Sequence, residues 1–220
     1  MGRRARQVGI GMDVHPPTAS RPDPTEMTAL YLVRHGETTL NTQGRFRGHT
    51  DPALNRRGRR QAREAGRQLA PVRPEAIYSS PLRRAVETAE AIAQQAGLDV
   101  ITSPDLIDID YGTWEGLTPA QAAVLNPEAY TAFRSDPLSA TPPGGEAVKH
   151  VEIRTLRALE VHAKTHPRAN IVAVSHEMPI RLALGAILGK TDDHIWGLDI
   201  PTASTTRIET VNDRFHLRQE

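Results

Sequence analysis

Apolar residues recur along this chain at two spacings, and the switches between them mark out its elements. Short unbroken apolar runs occur at residues 29–33 (ALYLV), 76–79 (AIYS), 98–102 (LDVIT) and 170–175 (NIVAVS). Runs of this length with no polar alternate predict strands buried on both faces, as in a parallel sheet. Between them the apolar positions fall at helical spacing. Leu54, Ala62, Ala65 and Leu69 supply one stripe in an otherwise charged segment, residues 54–70. Residues 82–97, 146–166 and 178–189 supply three more. Ser80 is placed to cap the second helix with Pro81 at its first position, and Gly97 to stop it. Residues 103–146 have no sustained period; their one clear signal is the capping box Thr118-Pro119-Ala120-Gln121. Residues 204–211 and 214–220 predict a closing hairpin around Asn212-Asp213.

Alternating strand and helix predict an α/β fold: a three-layer α/β/α sandwich around a mostly parallel sheet. Residues 27–220 are expected to form one domain. Residues 1–26, basic and then proline-rich, read as a disordered or loosely attached extension. No apolar run is long enough to span a bilayer, and the first residues have no signal-peptide core, so a cytoplasmic location without membrane contact is expected.

Lys and Arg total 27 against 26 Asp and Glu, a formal net charge of +1, which speaks against a nucleic-acid partner. The chain has no cysteine, so disulfides, thiolate metal sites and thiol nucleophiles are excluded. His162 and His166 have metalloprotease spacing, but Ala163 stands where the general base would be, so they read as a polar helix end and no metal site is expected. The Arg56, Arg57, Arg59, Arg60 and Arg63 cluster reads as a solvated helix face, and Trp114 and Trp196 as packing residues.

The candidate chemistry lies where open parallel sheets bind ligands, beyond the carboxyl ends of their strands. Arg34-His35-Gly36 follows the first strand and Ser175-His176-Glu177 follows the fourth. If those strands are neighbours, two imidazoles face each other. Arg84, expected near a helix amino terminus, would complete a cationic pocket whose natural guest is a phosphate. Without a Walker loop or a carboxylate cluster, a neutral histidine becomes the candidate nucleophile, and a nearby acid is needed to protonate the leaving alkoxide.

In order along the chain, LVRHGETTLN, GRFRGHTDPALNRRGRRQA, YSSPLRRAVETAE, LIDIDYGTWEG, PPGGE and VAVSHEMPIR resemble the histidine phosphatase superfamily, the phosphoglycerate mutase-like group. Within it they resemble most the α-ribazole phosphatase and broad-specificity phosphatase type. The resemblance runs from about residue 28 to residue 209. It implies a phosphomonoester hydrolase of the phosphoglycerate mutase-like fold that needs no cofactor, acts on a small phosphate ester, and allows a homodimer. It makes His35 the phospho-accepting nucleophile and Arg34, Arg84 and His176 the phosphate pocket, with Arg83 left at the rim. Thr38, Asn41, Arg47, Gly48 and Glu177 fall where such enzymes line the substrate site.

The family's proton donor is usually a glutamate four residues before the glycine of YGTWEG; this chain has Asp108 there. Asp110 and Glu115 are the neighbouring alternatives, and Glu146 is a further acid near the pocket. A phosphoglycerate mutase-type transferase is the second reading. The short stretch between WEG and PPGGE favours the phosphatase. A catalytically weak module that only binds a phosphorylated ligand is the third.

Overall fold

The computed structural model describes residues 27–190, 192–211 and 214–218. The expected extension at 1–26 and the turn at Asn212-Asp213 lie outside the described residues. Six strands form one sheet: β1 (Thr28–Arg34), β2 (Ala76–Ser79), β3 (Val100–Thr102), β4 (Asn170–Ser175), β5 (Thr205–Val211) and β6 (Arg214–Leu217), in the order β3-β2-β4-β1-β5-β6. β1, β2, β3 and β4 are mutually parallel, while β5 and β6 add an antiparallel margin.

The period of two along these strands sorts the core into two layers. Leu30, Leu32, Tyr78, Ile171 and Ala173 face one way. They pack on Ala158 and Leu159 of α6 (Val148–Thr165) and on Ile180 and Ala183 of α7 (Glu177–Ile187). Val33, Ile77, Val172 and Val174 face the other way, against α2 (Arg56–Leu69) and α3 (Arg83–Ala96). β1 and β4 are central, which explains why their runs lack polar alternates.

Residues 103–146 build a core of their own. α4 (Pro119–Leu125) opens on the expected Thr118 capping box, and α5 (Pro127–Ser135) follows directly. Trp114, Phe133, Ile109 and Ala122 pack there against Val148 and Met178. The segment escaped the pattern because both helices are short, and because single large residues rather than a stripe carry the packing. A one-turn helix, α1 (Thr39–Thr42), was also not expected. Among the described residues no helix is long and apolar enough to cross a membrane.

One local expectation is corrected. α3 begins at Arg83 with Leu82 as its N-cap, so Ser80 does not cap it. The first N–H of α3, on Arg83, is taken by the Asp51 carboxylate at 2.7 Å. His162 and His166 stand at the carboxyl end of α6, as expected, but are tied inward. The His162 ring lies flat on Tyr78 with centroids 3.6 Å apart, its Nε2 3.0 Å from the Ser103 hydroxyl, while the Tyr78 hydroxyl meets His166 Nε2 at 2.9 Å.

Burial, with His166 adding to it and Asp105 opposing, lowers the pKa of His162 from 6.5 to about 4. In that interval the unfolded chain binds a proton that the folded chain refuses, so this site's contribution to stability is lost as pH falls from about 6.5 through about 4. Denaturant unfolding at pH 7 and at pH 5 checks this: the native chain should lose more stability between the two than His162→Gln does. Equal losses would mean that His162 does not set the dependence.

Candidate active site

β1 and β4 are adjacent, with Arg34 opposite Ser175 in register, so the residue after each strand end leaves the sheet at the same level. The His35 N–H donates to the Ser175 carbonyl at 3.0 Å, locking the two ends together. The imidazoles of His35 and His176 are both fully buried, with ring centroids 5.1 Å apart.

Each ring is held by one nitrogen. His35 Nδ1 lies 2.7 Å from the Gly36 carbonyl, which can only accept, so Nδ1 carries the proton and Nε2 carries the lone pair. His35 Nε2 is buried without a partner. Burial, together with Arg84, Arg47 and Arg34, pushes the His35 pKa well below the usual histidine range, so the ring is neutral. His176 is depressed in the same direction, by burial first and then by Arg84 and His35. Its Nε2 lies 2.7 Å from the Ser80 hydroxyl. That hydroxyl accepts from the Leu82 N–H at 3.3 Å and, among the described residues, has no acceptor for its own proton other than His176 Nε2, so it donates there. The neutral His176 ring then carries its hydrogen on Nδ1, which has no hydrogen-bond partner and lies 3.8 Å from Asp108 Oδ2.

The cations are placed by backbone carbonyls. Arg34 donates to the Ile200 carbonyl at 2.6 Å and pairs with Glu177 at 2.8 Å. Arg84 has no solvent exposure. It donates to the Thr50 and Gly48 carbonyls at 2.7 and 2.8 Å and to Asp108 Oδ2 at 3.1 Å. Arg83 is exposed and pairs with Glu87. Arg47 approaches Glu177 at 3.5 Å. Burial raises the Glu177 pKa and three guanidiniums lower it; Arg34, Arg181 and Arg47 prevail, and the group stays ionised. Nε of Arg34, Arg47 and Arg84, Nε2 of His35 and Nδ1 of His176 are all buried without a hydrogen-bond partner. Four of these nitrogens are donors and fit a polyoxyanion, which supplies several acceptors at once, while the fifth, His35 Nε2, offers a lone pair.

Asp108 is 2 % exposed, with Oδ1 accepting the Ile109 N–H at 3.0 Å and Oδ2 turned to Arg84 and His176. The other acids have different engagements. Asp110 accepts the Gly112 N–H at 2.7 Å. Glu115 accepts the N–H of His49 and of Thr50, at 2.6 and 3.1 Å, and so clamps the loop whose carbonyls hold Arg84. A side chain on Gly48, which sits at φ +51, would run into that Glu115 carboxylate. Glu146 is bound by Arg154 through both oxygens, and Arg154 also donates to the carbonyls of Asp105, Ile107 and Asp108.

Of the residues expected to line a substrate site, Asn41, Arg47 and Glu177 border a cavity of about 390 Å³, which Arg34 also lines and neither His35 nor His176 does. Thr38 and Gly48 do not. Thr38 is buried and caps α1 through Asn41, and Gly48 contributes its carbonyl to Arg84. Sequence reasoning missed Ser80 as the partner of His176, Arg154 as the backbone clamp on Asp108, and Glu115 as the loop clamp. Only Ser80 carried a signal, which was assigned to a helix cap. Trp196, expected to be packing, also lines the cavity.

A family model described as the histidine phosphatase superfamily (branch 1) matches residues 30–219. Phosphoserine phosphatase 1 of Hydrogenobacter thermophilus is 35% identical over 178 residues, which is 81% of this chain and 84% of that protein. Bifunctional protein Rv2228c of Mycobacterium tuberculosis is 38% identical over 197 residues, 89% of this chain and 53% of that protein, so the chain spans about half the length of that relative. A solved mycobacterial glucosyl-3-phosphoglycerate phosphatase, complexed with VO3, is similar with a TM-score of 0.76 and 32% identity, covering 86% of this chain and 96% of that one.

Proposed function

The chain belongs to the histidine phosphatase superfamily, and from that premise we propose that it is a phosphomonoester hydrolase working through a phosphohistidine on His35 Nε2. The His35 ring carries this reading, with Nδ1 spent on the Gly36 carbonyl and Nε2 buried, neutral and unpartnered. A phosphate seated against that nitrogen would meet the Arg34, Arg47 and Arg84 guanidiniums and the Nδ1–H of His176. Charge that spreads over the transferring oxygens in the transition state is stabilised by such fixed donors.

In the first step Nε2 forms a bond to phosphorus as the ester P–O bond breaks. The leaving alkoxide takes a proton from Asp108, whose Oδ2 stands beside both Arg84 and His176. In the second step water loses its proton to Asp108, its oxygen bonds to phosphorus, and the P–N bond breaks. Inorganic phosphate leaves and the neutral His35 is restored. Phosphatase names among the relatives support water as the acceptor over a second substrate hydroxyl.

The test is a panel of phosphate esters that includes 3-phosphoglycerate, run with and without a bisphosphate primer and with and without EDTA. Inorganic phosphate should appear regardless of primer, and EDTA should change the rate by less than about twofold. Primer-dependent isomerisation without phosphate release would replace this reading with the mutase.

A further inference from the structure

The turn at residues 142–146 (PPGGE) takes no part in the chemistry proposed above. Its Glu146 is no rival to Asp108 as the acid, because Arg154 occupies both carboxylate oxygens, at 2.8 and 2.9 Å. Arg154 spends its remaining donors on backbone. It donates to the Asp105 carbonyl at 2.8 Å, the Ile107 carbonyl at 2.7 Å and the Asp108 carbonyl at 3.0 Å. A guanidinium has five N–H donors, and these five bonds use them all. Arg154 has nothing left to offer a ligand.

The three backbone bonds converge on a segment that does not hold itself. Residues 107–111 belong to no helix or strand, so the Ile107 and Asp108 carbonyls have no ladder partner. Arg154 supplies that partner from α6, and His49 Nε2 adds a second contact to the Asp108 carbonyl at 3.1 Å. The turn grips the segment further along. The Glu146 N–H donates to the Asp110 carbonyl at 2.9 Å. A Cβ on Gly145 would stand 2.3 Å from that same oxygen, so no side chain fits between the turn and the segment. Asp108 is thus tied at its own carbonyl and on both sides of it, while its Oδ2 reaches inward to within 3.1 Å of Arg84 and 3.8 Å of His176 Nδ1.

We propose that Arg154, oriented by Glu146, is the positioning residue for the proton donor: the pair fixes the backbone from which the Asp108 carboxylate meets the leaving oxygen. This rests on the hydrolase reading with Asp108 as its acid. A general acid must stand within hydrogen-bond reach of the departing oxygen, and a misplacement of about 1 Å can cost about 10²-fold. Lysine cannot stand in, since three donors on a point charge do not span three carbonyls and a carboxylate.

The test reads the ratio of nitrophenyl phosphate turnover to alkyl phosphate turnover, because only the alkoxide needs a proton to leave. The alkyl ester is glycerol 3-phosphate or 3-phosphoglycerate, whichever the native chain hydrolyses faster. Arg154→Lys should raise the ratio about tenfold or more. Glu146→Gln is the milder variant and keeps the test open if Arg154→Lys does not fold; it should raise the ratio about threefold or more. In the Asp108→Asn background no acid remains to be misplaced, so neither variant should raise the ratio further. A merely structural role would slow both esters alike, with Asp108 present or absent. Ratios left unchanged by the folded variants, or rises that persist undiminished in the Asp108→Asn background, overturn the inference. Failure of the parent assignment shows separately, as an unchanged ratio in Asp108→Asn alone, and the inference then falls with it.

Discussion

Replacing His35 with alanine is expected to cut phosphate release by about 10⁴-fold or more, since loss of a covalent nucleophile removes a whole reaction path. The variant should also lose the acid-labile phosphoryl label that the native chain acquires when quenched during turnover of a radiolabelled ester. The two readouts belong together because a nitrogen–phosphorus bond forms nowhere else in the cycle. His176 cannot take over. Its Nε2 is engaged by Ser80 and its Nδ1 carries the hydrogen, so it offers no lone pair to phosphorus. His35 is fully buried in the chain's centre, so a melting curve must accompany the assay to show that the variant is folded. Activity within about tenfold of native in a folded variant would refute the assignment of the nucleophile.

Asp108→Asn should separate good leaving groups from poor ones. An alkoxide such as that of glycerol needs a proton as it departs, and removing a positioned acid typically slows such steps by about 10²–10⁴-fold. Nitrophenolate leaves without one, so nitrophenyl phosphate should slow by less than about tenfold. Asparagine keeps the shape of the side chain and can still accept from the Ile109 N–H through its oxygen. It removes the charge facing Arg84, and some stability with it. Because both substrates are assayed on one preparation, a smaller folded fraction cancels from their ratio. Equal slowing of the two would mean that Asp108 does not deliver the proton.

Much of the sheet and of the charged cluster was legible before any coordinates. β2 and β4 match their predicted bounds because a strand buried on both faces leaves an unbroken apolar run that turn residues cut off sharply. His35 and His176 were locatable because each directly follows such a run. The α3 start was misread because a serine before a proline is a genuine capping pattern, and only tertiary contact shows that the hydroxyl turns to His176. The clamping roles of Arg154 and Glu115 were invisible for a related reason. Most of their partners are backbone groups from distant segments, and an arginine on a helix face looks the same whether it holds five hydrogen bonds or none. The cavity wall from α5 eluded the pattern altogether, since nine residues with one buried phenylalanine make no stripe.

The adjacency of β1 and β4 has a kinetic corollary. Arg34 and Ser175 stand opposite each other although 175 − 34 = 141 residues separate them. Closing so long a loop is among the slower acts of chain collapse, and none of the shorter-range contacts accomplishes it. During renaturation the two imidazoles therefore come together only when this distant seam is sewn. Regained turnover would then time that closure, later than the recovery of helical signal from α2 and α3.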